Sequence, residues 1–548
     1  MLGAVLLTSI GAAAQGVFYV DGGPAGSNSN SGTRQLPFAT IQGAINITAS
    51  LPNNNVTINV LPTPGGYTES VTIDRDLQLE GLVLDPDTPV VLRAVTTQDS
   101  AVTIVDSGAS RISRSMTVKN FNIEESFAAI LVQGMANGRG VSPEIAHNRI
   151  RTCAVGILVD CQNTFLNAPE GNLPLIRFNR IEGADNTIPT TGIRLATGGT
   201  IGDPMSPLLT TVKSNRVSGF DMGLVIFEEN AQTLTSAHCN WIFGCETGVS
   251  IQGRMPVVEM SNETIANGAP FSGMNPVQGI EINTQLQGSV QIRNTILSLG
   301  NTATDLRVVS GPTTPSFVYS MSQDPALVNQ SPTTNIMTPP TGVAFAPGGL
   351  HLTAGSLAVG AGSEASAVDM FFSPIRSDNV GAPRINDHST ANTLTSGIDM
   401  GASEFTEVAL QIARASTSPA PVVASNEAPV WQDARLNNSL TVSATSNRQD
   451  FCVIFGNFAS DTTYFQAPGP LSLVGYFLTN PVVSFSGLMV QVPNAPGSFT
   501  FSANTPPVAN MAFDEIEIDW QAVCLRFDPS TAMIVGNTTR SVRQEFNQ

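Results

Sequence analysis

The sequence predicts an all-β protein: a solenoid of stacked parallel strands followed by a C-terminal antiparallel β-sandwich or jelly roll. Three observations predict it. The first is a repeated phrase: an Asn, an aliphatic residue two positions on, and then Gly with alternating aliphatics. Asn148-Arg149-Ile150 leads to Gly156-Ile157-Leu158-Val159, and Asn179-Arg180-Ile181 leads to Gly192-Ile193-Arg194-Leu195. Asn215-Arg216-Val217 leads to Gly223-Leu224-Val225-Ile226, and Asn240-Trp241-Ile242 leads to Gly248-Val249-Ser250-Ile251. Asn262 and Ile265 precede Gly279-Ile280-Glu281-Ile282 more loosely, and Phe121-Asn122-Ile123 precedes Ala129-Ile130-Leu131-Val132 with Ala in place of Gly. The blocks at Gly156, Gly192, Gly223, Gly248 and Gly279 fall 36, 31, 25 and 31 residues apart, a period that means a repeat architecture. The second observation is a change of pattern after Phe405. Strand-like runs beginning at Ser439, Phe451, Gly487 and Ile516 then recur between turn signals without the repeat. The third is composition: 12% charged residues with 48 Gly and 36 Pro suits many short strands and turns.

Each part of the phrase has a physical reason. Alternation such as Gly192-Ile193-Arg194-Leu195 puts the aliphatics on one face of a strand. One such strand is too short to stand alone. Stacked on copies of itself, it pairs its backbone above and below and buries its aliphatics in a common core. Gly ahead of the strand suits a corner where the backbone bends or meets its neighbour closely. Asn at the other corner tolerates left-handed backbone and can join its amide to the Asn of the next coil. Insertions are expected in the turns, hence the unequal spacing.

This phrase resembles the repeat of the right-handed parallel β-helix proteins, the pectate-lyase-like solenoids. Phe18-Tyr19-Val20-Asp21, Ser29-Asn30-Ser31-Gly32-Thr33 and the run from Pro37 to Ile45 resemble the start of secreted members. That resemblance implies a short helix capping the solenoid, and Ile41, Ala44 and Ile45 fall at helical spacing. The run from Gly65 to Ile73 resembles the family's first full coil. Leu350 to Gly362, Gly381-Ala382-Pro383-Arg384 and Gly397 to Phe405 resemble the close of secreted bacterial β-helices, with Leu357 and Ala361 where the family usually has Pro and Asp. Asp399 and Glu404 are expected to satisfy backbone groups at that end. The resemblance covers residues 17 to 406 and speaks to fold, because this fold hosts many unrelated functions.

The expected organisation is a leader over 1–14, a β-helix over 15–406 with a closing segment from about 324, an Ala/Ser/Pro-rich linker over 407–434, and a β-sandwich over 435–548. The stretch from Pro507 to Phe546, with Gln521-Ala522 ahead of Asp528-Pro529, resembles C-terminal modules of exported bacterial proteins of planctomycete type. The apolar start ending Ala12-Ala13-Ala14 matches a secretory signal and is too short to span a bilayer. An extracellular or cell-surface location without an integral membrane segment is therefore expected. The formal charge of −18 argues against nucleic acid and anionic membrane partners.

Six cysteines in an exported chain permit disulfides. Cys452 with Cys524 is the favoured pair; Cys153 with Cys161 and Cys239 with Cys245 are local candidates, with buried free thiols as the alternative. The spacings are not a zinc signature, so no metal site is expected.

Positions flanking the Asn corner should face outward. The residue after each Asn gives Arg149, Arg180, Arg216 and Trp241; the residue two before gives Arg177, Lys213 and His238. Stacked about 4.8 Å apart, these form one cationic and aromatic strip. Such a strip suits a carboxylated or sulfated polysaccharide: Arg forks onto carboxylates, and an aromatic plane stacks on sugar rings. The alternative is a solvated face with Arg paired to Glu182, Glu228 or Glu246. The family resemblance also implies a lyase reading, in which Lys213 is the base, Arg177, Arg180 and Arg216 lower its pKa, and Ca²⁺ neutralises the substrate carboxylate. No cluster of Asp accompanies the strip, and the paired-Asp and Gly-His-Gly motifs of β-helix hydrolases are absent. His147, His351 and His388 are isolated and read as structural. The expectation is a non-catalytic binder of extracellular polysaccharide or a cell-surface component, without cofactor. A uronate polysaccharide lyase and a structural stalk are the alternatives.

Overall fold

The computed structural model describes residues 16–49, 56–82, 89–105, 116–133, 141–160, 174–183, 190–197, 208–228, 233–254, 256–266, 278–286, 288–300 and 303–338, short stretches within 343–402, and strands between 408 and 547. The described residues between 16 and 338 form a right-handed parallel β-helix. Each coil contributes one strand to each of three sheets, and every pairing in them is parallel. The coil around Asn179 is representative. Leu175–Arg177 lies in the first sheet, Arg180–Glu182 in the second and Thr191–Thr197 in the third. Among the described residues the sheets hold 11, 11 and 9 strands respectively, enough to make one continuous core.

The core consists of in-register aliphatic columns. In the third sheet Ile130, Ile157, Ile193, Leu224, Val249 and Ile280 stack rung on rung. In the second, Ile123, Ile150, Ile181, Val217, Ile242, Ile265 and Leu297 do the same. Their side chains are buried, each worth roughly 1.5–3 kcal/mol of transfer free energy. The glycine column sits where second-sheet side chains reach the third sheet. A Cβ on Gly192 would fall 2.6 Å from the carbonyl oxygen of Gly223, and one on Gly223 would fall 2.6 Å from that of Gly248. The column ends at Asp305, which follows Gly279 in the stack; its carboxylate accepts from Ser322 Oγ at 2.5 Å and Gln323 N at 2.6 Å.

The corner between first and second strands has two residues in every coil from Ala146 to Ile296. The expected amide ladder runs through it. Asn148 Nδ2 donates to Asn179 Oδ1 at 3.1 Å, Asn179 to Asn215 at 3.0 Å and Asn215 to Asn240 at 3.0 Å. Each backbone N–H in the column donates to the same oxygen. Buried Glu263 continues the column, accepting from Asn240 N and Nδ2 on its two oxygens. One expectation is corrected here. The left-handed residue is not the Asn but the one before it: His147, Phe178, Ser214 and Cys239 have φ of 55–60°. The Asn is fixed by its amide, so the preceding residue absorbs the turn.

At the entry end, helix Ile41–Thr48 buries Ile41, Ala44 and Ile45 as the spacing predicts. Glu69 accepts from the N–H groups of Ile41 and Gln42, both at 3.0 Å, where a helix presents unpaired donors. The Gln42 amide pairs with both the N–H and the carbonyl of Thr72, covering an edge strand as a further strand would. At the closing end, buried Asp399 accepts from Gly360 N at 2.6 Å, as expected of it; Glu404 lies outside the described residues.

The C-terminal region holds a four-strand antiparallel sheet and a larger mixed sheet. Two pairings in the larger sheet are parallel: Asp433–Arg435 with Val542–Asn547, and Leu471–Leu478 with Met533–Thr538. The stretch read as a linker contains strand Val408–Arg414, paired along its length with Ser439–Ser446. Its Val-Ala-Leu-Gln-Ile-Ala-Arg sequence alternates with period two, which the composition of the following residues obscured.

Among the cysteines, Cys153, Cys239 and Cys245 are buried and in no disulfide, which corrects the local pairings. Cys239 and Cys245 flank opposite ends of strand Trp241–Phe243, so they occupy different corners of one coil. Cys153 shares a hydrogen bond with Ser126, and Cys161 lies outside the described residues. Cys452 and Cys524 are register partners on adjacent antiparallel strands.

Candidate functional site

The strip exists as two rows on either side of the Asn corner. Arg149, Arg180, Arg216 and Trp241 are direct register partners on successive second-sheet rungs. Arg177, Lys213 and His238 are direct partners at the ends of first-sheet rungs, preceded by Lys119 and Ala146 and followed by Ser261 and Arg293. The left-handed residues form a ridge between the rows, where the rings of His147 and Phe178 stack at 5.1 Å. His351 and His388 lie outside the described residues.

The second-sheet row crowds several cations on one acid. Glu182 is shared by Arg149 at 3.3 Å, Arg151 at 3.2 Å and Arg180 at 2.5 Å, three guanidinium groups on one carboxylate. Arg180 remains 44% exposed through its side chain. Arg216 leans over the rings of Trp241 and Phe243, at 5.7 and 5.1 Å from their centroids. Of the pairings weighed from sequence, Glu182 is realised; the side chain of Glu228 lies outside the described residues. Arg151 was missed, although its place two residues after Arg149 puts it on the same face of a strand.

The first-sheet row is more nearly compensated. Arg177 pairs with Glu144 and lies 5.6 Å over the Phe178 ring. Lys119 pairs with Glu80 at 2.9 Å. Burial, and then the Arg177 guanidinium, hold the Lys213 amine below the ordinary lysine range, while Glu144 and Asp369 act in the other direction. Arg177 does this as expected; Arg180 and Arg216, expected beside it, are not among the causes.

Trp241 and His238 do not line an open surface. They are 3% and 8% exposed. Ala402 and Phe345 of the closing segment pack on Trp241 and Phe243. A planar indole can stack on a sugar only from an open face, so the aromatic part of the strip belongs to the packing of the closing segment. Among the described residues no group of three or more His, Cys, Asp and Glu side chains is placed to hold a metal ion. A cleft of about 340 Å³ lies at the closing end, lined by Gly300, Ala303, Thr304, Asp305, Gln323 and Asp324. There Asp305 is engaged in capping the glycine column.

No family model matches the chain, and no curated protein matches it. Among solved structures, the chain is similar to pectate lyase Pel9A at 13% identity and a TM-score of 0.34, covering 71% of this chain and 96% of that one. It is similar to an alginate lyase from Paenibacillus sp. str. FPU-7 at 11% identity and 0.30, covering 54% and 95%. It is also similar to XylC in its complex with xylose at 11% and 0.28, covering 51% and 75%. Scores this low carry nothing about activity or residue roles. The β-helix itself rests on the parallel sheets described above. No helix among the described residues is long and apolar enough to cross a membrane.

Proposed function

We propose that the chain is an exported β-helix protein that binds anionic polysaccharide, without cleaving it, along the row Arg149–Arg180–Arg216. The observation that supports this is the crowding of three guanidinium groups on Glu182, beside a further Arg on the next rung. Three guanidinium groups on one carboxylate leave Arg149, Arg151 and Arg180 each only partly neutralised, and a polymer with a carboxylate or sulfate on each unit supplies further anions in series. The chain's overall charge of −18 makes a local cationic row informative, because a general affinity for polyanions is opposed everywhere else. The apolar first 14 residues support export.

The test is retention on immobilised polygalacturonate and alginate over a salt gradient. The double variant Arg180→Ser/Arg216→Ser is expected to weaken binding about tenfold, in line with two exposed charge pairs. Unchanged retention on every anionic glycan overturns the reading and leaves a structural stalk. A second reading is favoured by the depressed Lys213 amine, which suits a base that removes the proton beside a uronate carboxylate. Unsaturated sugar ends formed by the parent chain and lost in Lys213→Met would establish a lyase.

A further inference from the structure

Both rows run into a wall. On the second-sheet side, Ala402 N donates to Thr264 Oγ1 at 2.8 Å, and Ala402 packs on Trp241 and Phe243. On the first-sheet side, Ser261 Oγ donates to the carbonyl of Ser366 at 3.2 Å. Asn294 and Ser363 exchange a reciprocal pair of hydrogen bonds, both 2.9 Å. The wall then turns back through a bridge between Val368 and Pro374, and Asp369 on it lies near enough to act on both Lys213 and Glu259.

Among the described residues the strip is therefore open at one end and blocked at the other. Arg180 is exposed and Arg149, Arg177, Lys213 and Arg216 are half-buried, whereas His238, Trp241, Glu259 and Ser261 are buried. The two-residue corner adds no loop beside the open rungs. From Arg149 to Arg216 the open row spans about 10 Å at ordinary strand spacing, enough for a few sugar units and no more.

We propose that the strip takes the end of an anionic polysaccharide rather than its interior, with the terminal unit lodged against Ser366, Asp369 and Ala402. This rests on the anionic-glycan reading above. A terminal sugar carries a free hydroxyl that interior units have lost to a glycosidic bond. Asp369 brings an acceptor for that hydroxyl to the wall, and the closing segment over Ser261, Thr264 and Trp241 bars any unit that would continue past it.

The experiment is titration calorimetry of the full chain with defined-length oligogalacturonates from short to long. End binding gives one protein per chain at every length, and affinity changing less than about twofold once the open rungs are filled. Protein per chain rising with length overturns the inference and leaves polysaccharide binding intact; no heat and no retention at any length removes both. Asp369→Ala leaves the Asn294–Ser363 pair in place. It is expected to weaken binding of the short chain about tenfold, as for a lost hydrogen bond to a charged group. Unchanged affinity in that variant overturns the role given to the wall.

Discussion

Replacing Asn215 by Ala tests whether the amide ladder holds the coils together. Asn215 is fully buried and makes five hydrogen bonds with its side chain. Its Oδ1 accepts from Asn179 N and Nδ2; its Nδ2 donates to Ile176 O, Lys213 O and Asn240 Oδ1, all within 2.9–3.0 Å. Most partners keep another bond after truncation. Asn179 Nδ2 retains Ile145 O and Arg177 O, and Asn240 Oδ1 retains Asn215 N. Asn179 N–H loses its acceptor. One orphaned buried N–H costs about 1–3 kcal/mol, and the weakened remainder brings the sum to roughly 3–5 kcal/mol. In a stacked array that loss is local to the adjoining coils. Hydrogen exchange read by mass spectrometry should show protection falling on the order of a hundredfold or more in peptides covering 175–182 and 208–218, at about 1.4 kcal/mol per factor of ten. Peptides from 16–82 should not change. A fall below about threefold in the two central peptides would mean that the aliphatic columns alone fix the coils.

Three further outcomes are expected. Gly192→Ala puts a Cβ 2.3 Å from Val217 Cγ1 and 2.6 Å from Gly223 O, so the neighbouring backbone must move. Destabilisation at or above the usual 1–3 kcal/mol of overpacking should appear in urea unfolding, and a loss below about 0.5 kcal/mol refutes the close approach. Burial raises the pKa of Glu69, Glu259 and Asp305 above the carboxylate range. A raised acid binds its proton more tightly folded than unfolded, so its contribution is complete below about pH 4 and is lost as pH rises through the folded value. The solenoid's calorimetric transition should therefore show a larger gain on going from about pH 8 to about pH 5 in the parent than in Glu69→Gln/Glu259→Gln/Asp305→Asn; equal slopes refute it. Cys452 and Cys524 are register partners on adjacent strands and should form a disulfide in oxidised chain, seen as two alkylation-resistant cysteines before reduction. Full alkylation without reductant refutes that pairing.

What was legible in the sequence is what repeats. Ile150, Ile181 and Val217 fall at one phase of a phrase, so their stacking followed from period and burial. The same phase placed Arg149, Arg180 and Arg216 in one row. What was not legible comes from contacts outside the repeat. Phe178 and Cys239 carry no signal for left-handed backbone, since bulky residues rarely adopt it; only the amide bonds of the Asn that follows force them there. Glu263 occupies the place of an Asn because the last Asn of the column needs only acceptors above it. Asp305 occupies the place of a Gly because, among the described residues, no further third-sheet rung is stacked above it.

The same distinction decides how the strip is to be read. Trp241 keeps the phase of the Arg row and was grouped with it on that ground, yet the closing segment, more than 100 residues away in sequence, covers its ring. Phase fixes which way a side chain points, and only tertiary contacts fix whether solvent or another segment lies there. For a solenoid this separation is general: each rung's outward residues are offered to solvent by default, and the return of the chain over them selects which remain available. Here that selection leaves the cations of three rungs and removes the aromatic one, so the recognition proposed for the open strip would depend on charge rather than stacking.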